Sequence, residues 1–436
     1  MVQARRQPAG LTSQRNSSKS AKRFCCEKTG AFSQIEKERK CSGAHPALRA
    51  GALLSLSTAQ TAGMRTLPDQ EIVVVGGGLV GAAIAWGLAR RGLAPLVLDG
   101  EDLSHRASRA NFALVWVQGK GVGAPHYARW TIAAARRWSA FSADLMETSG
   151  IDVSLRQRGG FTFALTESEM ATWTEEVRCV AEALGTDAPD HAVLDHVETA
   201  RMLPAIGRDV IGAIYSPLDG DVNSLRLLQA LHVGMLNLGA GYRAHCDVTE
   251  IAPDAGGFLL KGTWGEVRAG RVVLAAGNGN TRLAPMVGLS APTLQSKGQI
   301  LVTEKCAPFF PYTSTTLRQA DEGGVMIGDS QEADTRSIAT DQDISSVLAD
   351  RAIRTFPQLA AVNVLRSWSG FRVKTPDGLP IYECSPTHPG ACLVMCHSGV
   401  TLAPNHAHLI ADAIASRNPV LADGLFPGGR FHVPAH

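Results

Sequence analysis

The sequence has no apolar run long enough to cross a bilayer. The stretch near Ala52 to Leu56 falls far short of the ~20 residues that a membrane-spanning helix needs. It also has no cysteine motif. Nine cysteines are present, an odd number. Cys179, Cys246, Cys306, Cys384, Cys392 and Cys396, the six in the body of the chain, form no CxxC pair and no zinc spacing. That argues against a dithiol reductase and a zinc centre. It leaves reduced, buried thiols in a cytoplasmic protein as the expectation, with no metal ligands. Basic charge is scarce outside the N-terminus. The first 63 residues hold 11 Lys/Arg against 3 Asp/Glu, whereas the whole chain carries only +2, so the rest is acidic by six. Nucleic acid is therefore not an expected partner, because binding it depends on clustered basic residues.

Residues 1–64 read as a basic extension rich in Ser, Ala, Lys, Arg and Gln without apolar periodicity, and are expected to be disordered. Arg5-Arg6 lacks the apolar segment of an export signal, and Met64 stands directly before the first periodic segment, as an internal start would. The remainder contains no internal repeat. With 436 residues, 45% of them hydrophobic and 19% charged, the chain exceeds what one core usually supports, and two packed domains are expected.

The first chemistry-bearing signal is a β-branched run, Glu71 to Val75, that ends in Gly76-Gly-Gly-Leu-Val-Gly81 and continues into small and apolar residues to Leu88. A buried strand, a tight turn and a buried helix follow from that pattern. Gly76 permits the turn, Gly78 lets backbone approach a pyrophosphate, and Gly81 lets helix pack on strand. The helix start would present free N–H groups and the positive dipole end to the phosphates. Pro95 to Asp99 reads as the second strand, and Asp99 falls 23 residues after Gly76, where an acid can bind a ribose hydroxyl. A glycine-rich turn alone would mean little; strand, helix and acid together point to a dinucleotide.

Two distant segments extend the reading. Arg271 to Gly277 is a buried strand that ends in Ala275, Ala276 and Gly277, small enough for backbone to lie beside a ligand or a packed sheet edge. Near the C-terminus, Cys396 to Pro404 precedes an apolar helix with Thr401 as the expected N-cap and Pro404 in its first turn. A helix start there could stabilise negative charge on a reduced flavin.

At these residues the chain resembles the D-amino-acid oxidase family of flavoproteins, over about Glu71 to Ser416. The carriers are Gly76 to Gly81, Asp99, Ser108 to Asn111, Asp219 to Asn223, Ala275 to Gly277, Gly370 to Pro380 and His397 to Pro404. Two departures are Asp99, where the family more often has Glu, and Ala113, where a glycine is common. The resemblance implies an α/β architecture: a Rossmann-like FAD domain of the two-dinucleotide-binding type with an inserted α+β substrate domain. The FAD domain is expected from residues 69–156, 208–290 and 366–430, and the substrate domain from 157–207 and 291–365. It implies FAD contacts from Gly76, Gly78, Leu79, Val80, Gly81, Asp99, Ser108, Asn111, Val248, Ala275, Ala276, Gly277, Gly370, Gly399, Val400, Thr401 and Leu402. The FAD would be non-covalent, since Gly370 and its neighbours offer no cysteine. Arg372 would anchor a substrate carboxylate through paired hydrogen bonds, and His397 would touch the flavin.

The implied reaction is oxidation of an amino acid or N-substituted amino acid: a D-amino acid, glycine or sarcosine, hydroxyproline, or an opine. Hydride passes to flavin N5, and oxygen, a quinone or a partner subunit takes the electrons. Oxidation of a 2-hydroxy acid or glycerol phosphate on the same scaffold, or a non-catalytic subunit of a dehydrogenase complex, are the other readings. A homo- or hetero-oligomer, free in the cytoplasm or peripheral to the inner membrane, fits each. His406 and His408, two apart on one helix, do not share a face and make no metal pair.

Overall fold

The computed structural model describes residues 66–101, 106–333 and 335–431. The basic extension expected at 1–64 lies outside them.

Gln70–Val75 forms the expected strand, and Leu79–Ala89 the expected helix. The strand pairs in parallel with Leu96–Leu98 on one side and with Gly265–Leu274 on the other. Outward from these, Gly241–Arg243 extends one edge, and Ala391–Met395 joins Gly265–Leu274 in parallel on the other. Ile381–Cys384 closes that edge antiparallel, and a meander of Glu250–Asp254 and Gly257–Gly262 hangs on Gly265–Leu274. Parallel strands bury both faces, so their sequences are continuous apolar runs. Val73 and Val75 face one core, with Phe258, Leu283 and Val287. Ile72 and Val74 face the other, against helices Leu79–Ala89, Pro125–Ser149 and Ser224–Asn237. Trp86 sits wholly buried in that layer, edge-on to Phe141, and donates to Thr148 Oγ1 at 3.0 Å.

A second sheet is mostly antiparallel. Ser296–Lys305 lies between Val364–Phe371 and Gly324–Ile327. The sheet continues through Leu317–Gln319, Thr313–Ser314 and Gly160–Ala164 to Gly212–Ser216 and Ala192–Asp195. Helix Gln342–Thr355 covers it through Leu348 and Ala352, against Phe161, Phe163 and Phe356. The mixed architecture is the α/β class expected.

Two strands depart from the expected division. Gly212–Ser216 pairs with Gly160–Ala164 in the second sheet, Phe161 against Tyr215, although it falls in the 208–290 segment expected to bind FAD. Val364–Phe371 pairs along Ser296–Lys305 as far as Phe371, past the expected boundary at 366. Both are apolar or mixed runs whose pattern specifies a strand and not the sheet it joins. The cysteines need a further correction. Cys384 and Cys392 oppose each other across their antiparallel pair, with Cα atoms 4.0 Å apart, and form a disulfide. Linear spacing gave no sign of the hairpin that brings them together. Cys179, Cys246, Cys306 and Cys396 are free. No described helix is long and apolar enough to cross a membrane.

The first helix lies against the C-terminal helical segment so closely that a Cβ on Gly87 would fall 1.9 Å from the Ala407 carbonyl oxygen and 2.7 Å from Ala411 Cβ. Gly87→Ala should therefore lower stability by about 1–3 kcal/mol through overpacking. Urea unfolding checks it: the midpoint should fall with an unchanged slope, and a wild-type midpoint would mean that the helices separate without cost.

Candidate functional site

Val75 and Leu274 end their strands in register, and the chain beyond each remains close. Gly76 has φ +107°, and a Cβ there would meet the Ala275 carbonyl oxygen at 2.5 Å, so turn and neighbouring strand leave no room for a side chain. Gly81 would put a Cβ 1.9 Å from the Gly76 oxygen. It thus packs the helix on its strand and does not line the cleft. Gly78 is the N-cap of the helix and offers no capping side chain; Ser108 Oγ accepts from Leu79 N at 2.9 Å instead. The positive end of the helix opens into a cleft of about 570 Å³.

The cleft gathers nearly every residue singled out from the sequence: Gly76, Gly78, Leu79, Val80, Asp99, Ser108, Asn111, Val248, Ala275, Ala276, Gly277, Gly370, Arg372, His397, Gly399, Val400 and Thr401. Asp99, almost buried, accepts from Arg106 Nη1 at 2.7 Å and from the Tyr242 hydroxyl at 3.4 Å, which fixes its carboxylate at the cleft wall. Asn111 donates to the carbonyls of Ala107 and Ser108, leaving its buried Oδ1 without a partner among the described residues. Ala113 has φ +66°, the left-handed region that glycine adopts at least cost, which accounts for the glycine commonly found there. Glycine cradle, open helix start, wall carboxylate and orphaned acceptor together suit an extended dinucleotide.

Two expectations change. Leu402 is fully buried in the core and does not reach the cleft. Thr401 does not cap the C-terminal helix; the cap position is Leu402, without a side-chain bond. Thr401 Oγ1 instead accepts from Trp116 N at 3.2 Å and donates to the Leu114 carbonyl at 3.1 Å. The residue that looks like a cap by position ties two cleft walls together, a role that no local pattern reveals. The helix itself runs through Ala403–Asn405 into a π-helical turn at His406–Ile410.

A second cavity of about 600 Å³ adjoins the cleft and shares Trp116, Lys120, Thr315, Asp329, Arg372 and His397 with it. Arg372 is pinned at this junction: Nη1 donates to the Lys297 carbonyl at 2.9 Å and Nη2 to the Ser330 carbonyl at 2.8 Å. Gly298 makes room for it, since a Cβ there would meet the guanidinium at 2.4 Å. A guanidinium carries five donors, so three stay available on a fixed fork. His397 opens onto the cleft and is enclosed by protein mass, which pushes its imidazole down to about 3, with Lys120, Arg372 and Lys374 adding repulsion. The ring is therefore neutral at neutral pH. Cys246 and Cys396 also line the cleft; burial pushes the Cys396 thiol up to about 12.

Sequence reasoning missed Lys120, Asp329, Trp116 and, in the chamber lining, Trp173 and Glu176. The one available signal was Gly119-Lys120-Gly121, a lysine between two glycines. Asp329 has φ +80°, an uncommon conformation held at the junction.

The model of the family described as FAD dependent oxidoreductase (DAO) matches residues 71–413. An opine oxidase subunit from Agrobacterium tumefaciens (strain Ach5) is 55% identical over 364 residues, 84% of this chain and 98% of that protein. Glycine oxidase from Geobacillus kaustophilus (strain HTA426) is 27% identical over 352 residues, 79% of this chain and 92% of its own. The crystal structure of glycine oxidase from Geobacillus kaustophilus superposes with a TM-score of 0.76 at 26% identity, covering 83% of this chain and 99% of that one.

The crowding at Gly76 leads to a measurable outcome. Gly76→Ala should yield folded protein with a markedly lower ratio of flavin absorbance to protein absorbance, because the turn must shift away from the phosphate-facing helix start. Full cofactor loading in that variant would show that the turn tolerates a side chain.

Proposed function

The chain belongs to the DAO family of FAD-dependent oxidoreductases, and on that premise we propose that it oxidises an N-substituted amino acid of the opine kind at the carbon bearing the nitrogen. FAD is its cofactor and amino acids or amines are its substrate class. The observation that carries the finer reading is Arg372, a pinned guanidinium where a dinucleotide cleft opens into a separate chamber.

In this reading Gly76, Gly78 and the helix start at Leu79 hold the pyrophosphate, and Asp99 takes a ribose hydroxyl. Ser108, Asn111, Ala275 to Gly277, Val248 and Gly399 to Thr401 line the rest of the bound group, which is held without a covalent bond. FAD, when bound, supplies the two-electron acceptor for a hydride. Arg372 receives a substrate carboxylate in the chamber and so fixes the carbon to be oxidised, which removes orientational freedom before reaction. Trp116 and the buried wall exclude water from the junction. Neutral His397 can donate or accept a hydrogen bond without adding charge.

We further propose that the chain works beside a partner polypeptide that carries electrons onward, supported by the name of its relative as a subunit. Direct transfer to oxygen or a quinone is the competing arrangement.

Anaerobic bleaching of the flavin by secondary-amine amino acids tests the chemistry. Bleaching by 2-hydroxy acids alone would replace the amine reading, and no bleaching by any substrate would favour a non-catalytic subunit. Arg372→Ala should raise KM for carboxylate substrates on the order of 10–100-fold or more through loss of the charge-assisted carboxylate contact, with flavin content retained. An unchanged KM would remove the anchor.

A further inference from the structure

Lys120 is the one lysine shared by cleft and chamber. Its placement is built. Gly119 and Gly121 both have positive φ, 66° and 79°, and turn the chain so that the lysine points inward. The turn is fastened from below by Asp219, which is fully buried and accepts from Val117 N at 2.5 Å and Gln118 Nε2 at 2.7 Å. Lys120 Nζ donates to Ser398 Oγ at 2.9 Å, and that hydroxyl meets the Tyr127 hydroxyl at 3.1 Å. Among the described residues no carboxylate forms an ion pair with it. A half-buried lysine at the junction of cleft and chamber, bonded among the described residues only to a hydroxyl, is placed to meet a bound substrate.

The chemistry above leaves one need unmet. An amino-acid substrate arrives with its nitrogen protonated, and hydride cannot leave the neighbouring carbon until that nitrogen has a lone pair. We propose that Lys120 takes this proton and is a catalytic residue of the site, an assignment that rests on the amine-oxidation reading. The neutral Lys120 amine binds the proton as the substrate N–H bond breaks. The freed lone pair then closes the C=N bond while the C–H bond breaks and its hydrogen departs with both electrons. The substrate is oxidised and the bound FAD reduced; Lys120 keeps the proton, and the product leaves as an iminium for water to hydrolyse.

The surroundings support a neutral amine. Burial pulls the Lys120 amine below its ordinary value, while Cys396, Asp219 and Asp329 pull the other way. Arg372, Lys374 and His397 also face this space, the chamber is further lined by Glu169 and Arg351, and Glu176, raised by burial, lies beside Gly119. His397, pushed down to about 3, is a poor acceptor. Asp329, raised by burial, has Arg372 as its first opposing charge, which makes it the counter-charge of the anchor.

Lys120 must be unprotonated to act, so the rate of flavin reduction should rise with pH through the lysine's own titration. The test uses FAD-loaded full-length protein in anaerobic stopped-flow, with sarcosine, iminodiacetate and proline, whose amines differ in basicity. In the wild type the rising limb should stay at one pH for every substrate that bleaches the flavin. In Lys120→Met, and in Lys120→Arg, which keeps the charge but cannot act as a base, the limb should move to each substrate's own amine titration. Reduction at neutral pH should drop about 100-fold or more and recover toward wild type at high pH. A wild-type limb that tracks the substrate overturns the proposal without any variant. So do variants that lose rate equally at all pH values, or an Asp329→Asn variant that moves the limb instead. If no amine bleaches the flavin but a 2-hydroxy acid does, the amine reading falls and the lysine assignment with it.

Discussion

The architecture depends on how closely two parallel strand ends approach. Gly76 lies against the Ala275 carbonyl, and Gly81 lies against Gly76. These contacts set the first helix at the one angle that points its N-terminus into the cleft. Helix dipole, free amides and backbone shape act on a phosphate only if that angle holds. The requirement propagates outward. The helix must accept the C-terminal segment at Gly87, and the chain leading into that segment brings Gly399 beside Leu79 and Val80 at the cleft.

Where cleft meets chamber the protein concentrates ionisable groups. Arg372 is held by two carbonyls and Lys120 by a hydroxyl. Of the residues that the two cavities share, Asp329 is the acid. Fixed charges around an enclosed space cost stability unless a ligand completes them. The Arg372 guanidinium is thus preorganised for an anionic substrate, with its orientation supplied in advance by backbone carbonyls and not by a flexible surface.

Much of this was legible in the sequence because it is local. The strand, turn and helix at 70–89 follow from apolar periodicity and glycine spacing, and the helices at Pro125–Ser149, Glu167–Leu184 and Gln342–Thr355 follow from theirs. Gly76, Gly78 and Ala275 to Gly277 could be singled out because they follow strand ends and come together at the cleft. What escaped was relational. Whether Gly212–Ser216 joins one sheet or the other depends on a partner fifty residues away. The Cys384–Cys392 pair depends on a hairpin register. Thr401 has the right identity and position for a cap, but its hydroxyl is drawn to Trp116 and Leu114, nearly three hundred residues upstream. Lys120 belonged to no motif; the glycines on either side turn it inward, and only tertiary structure shows what it meets there.

The cofactor sheet takes its strands from residues 70–98, 241–274 and 381–395, and the last of these leads directly into His397 to Thr401. A chain leaving the ribosome therefore displays its phosphate-binding glycines early, but the walls that enclose a dinucleotide exist only when almost all of it has been made. Domains usually fold as units during synthesis, the N-terminal ones first. Here the order of manufacture and the order of assembly differ: the earliest element waits for the latest. A chain cut before His397 would accordingly carry the phosphate-facing turn without the residues that line the rest of the cleft.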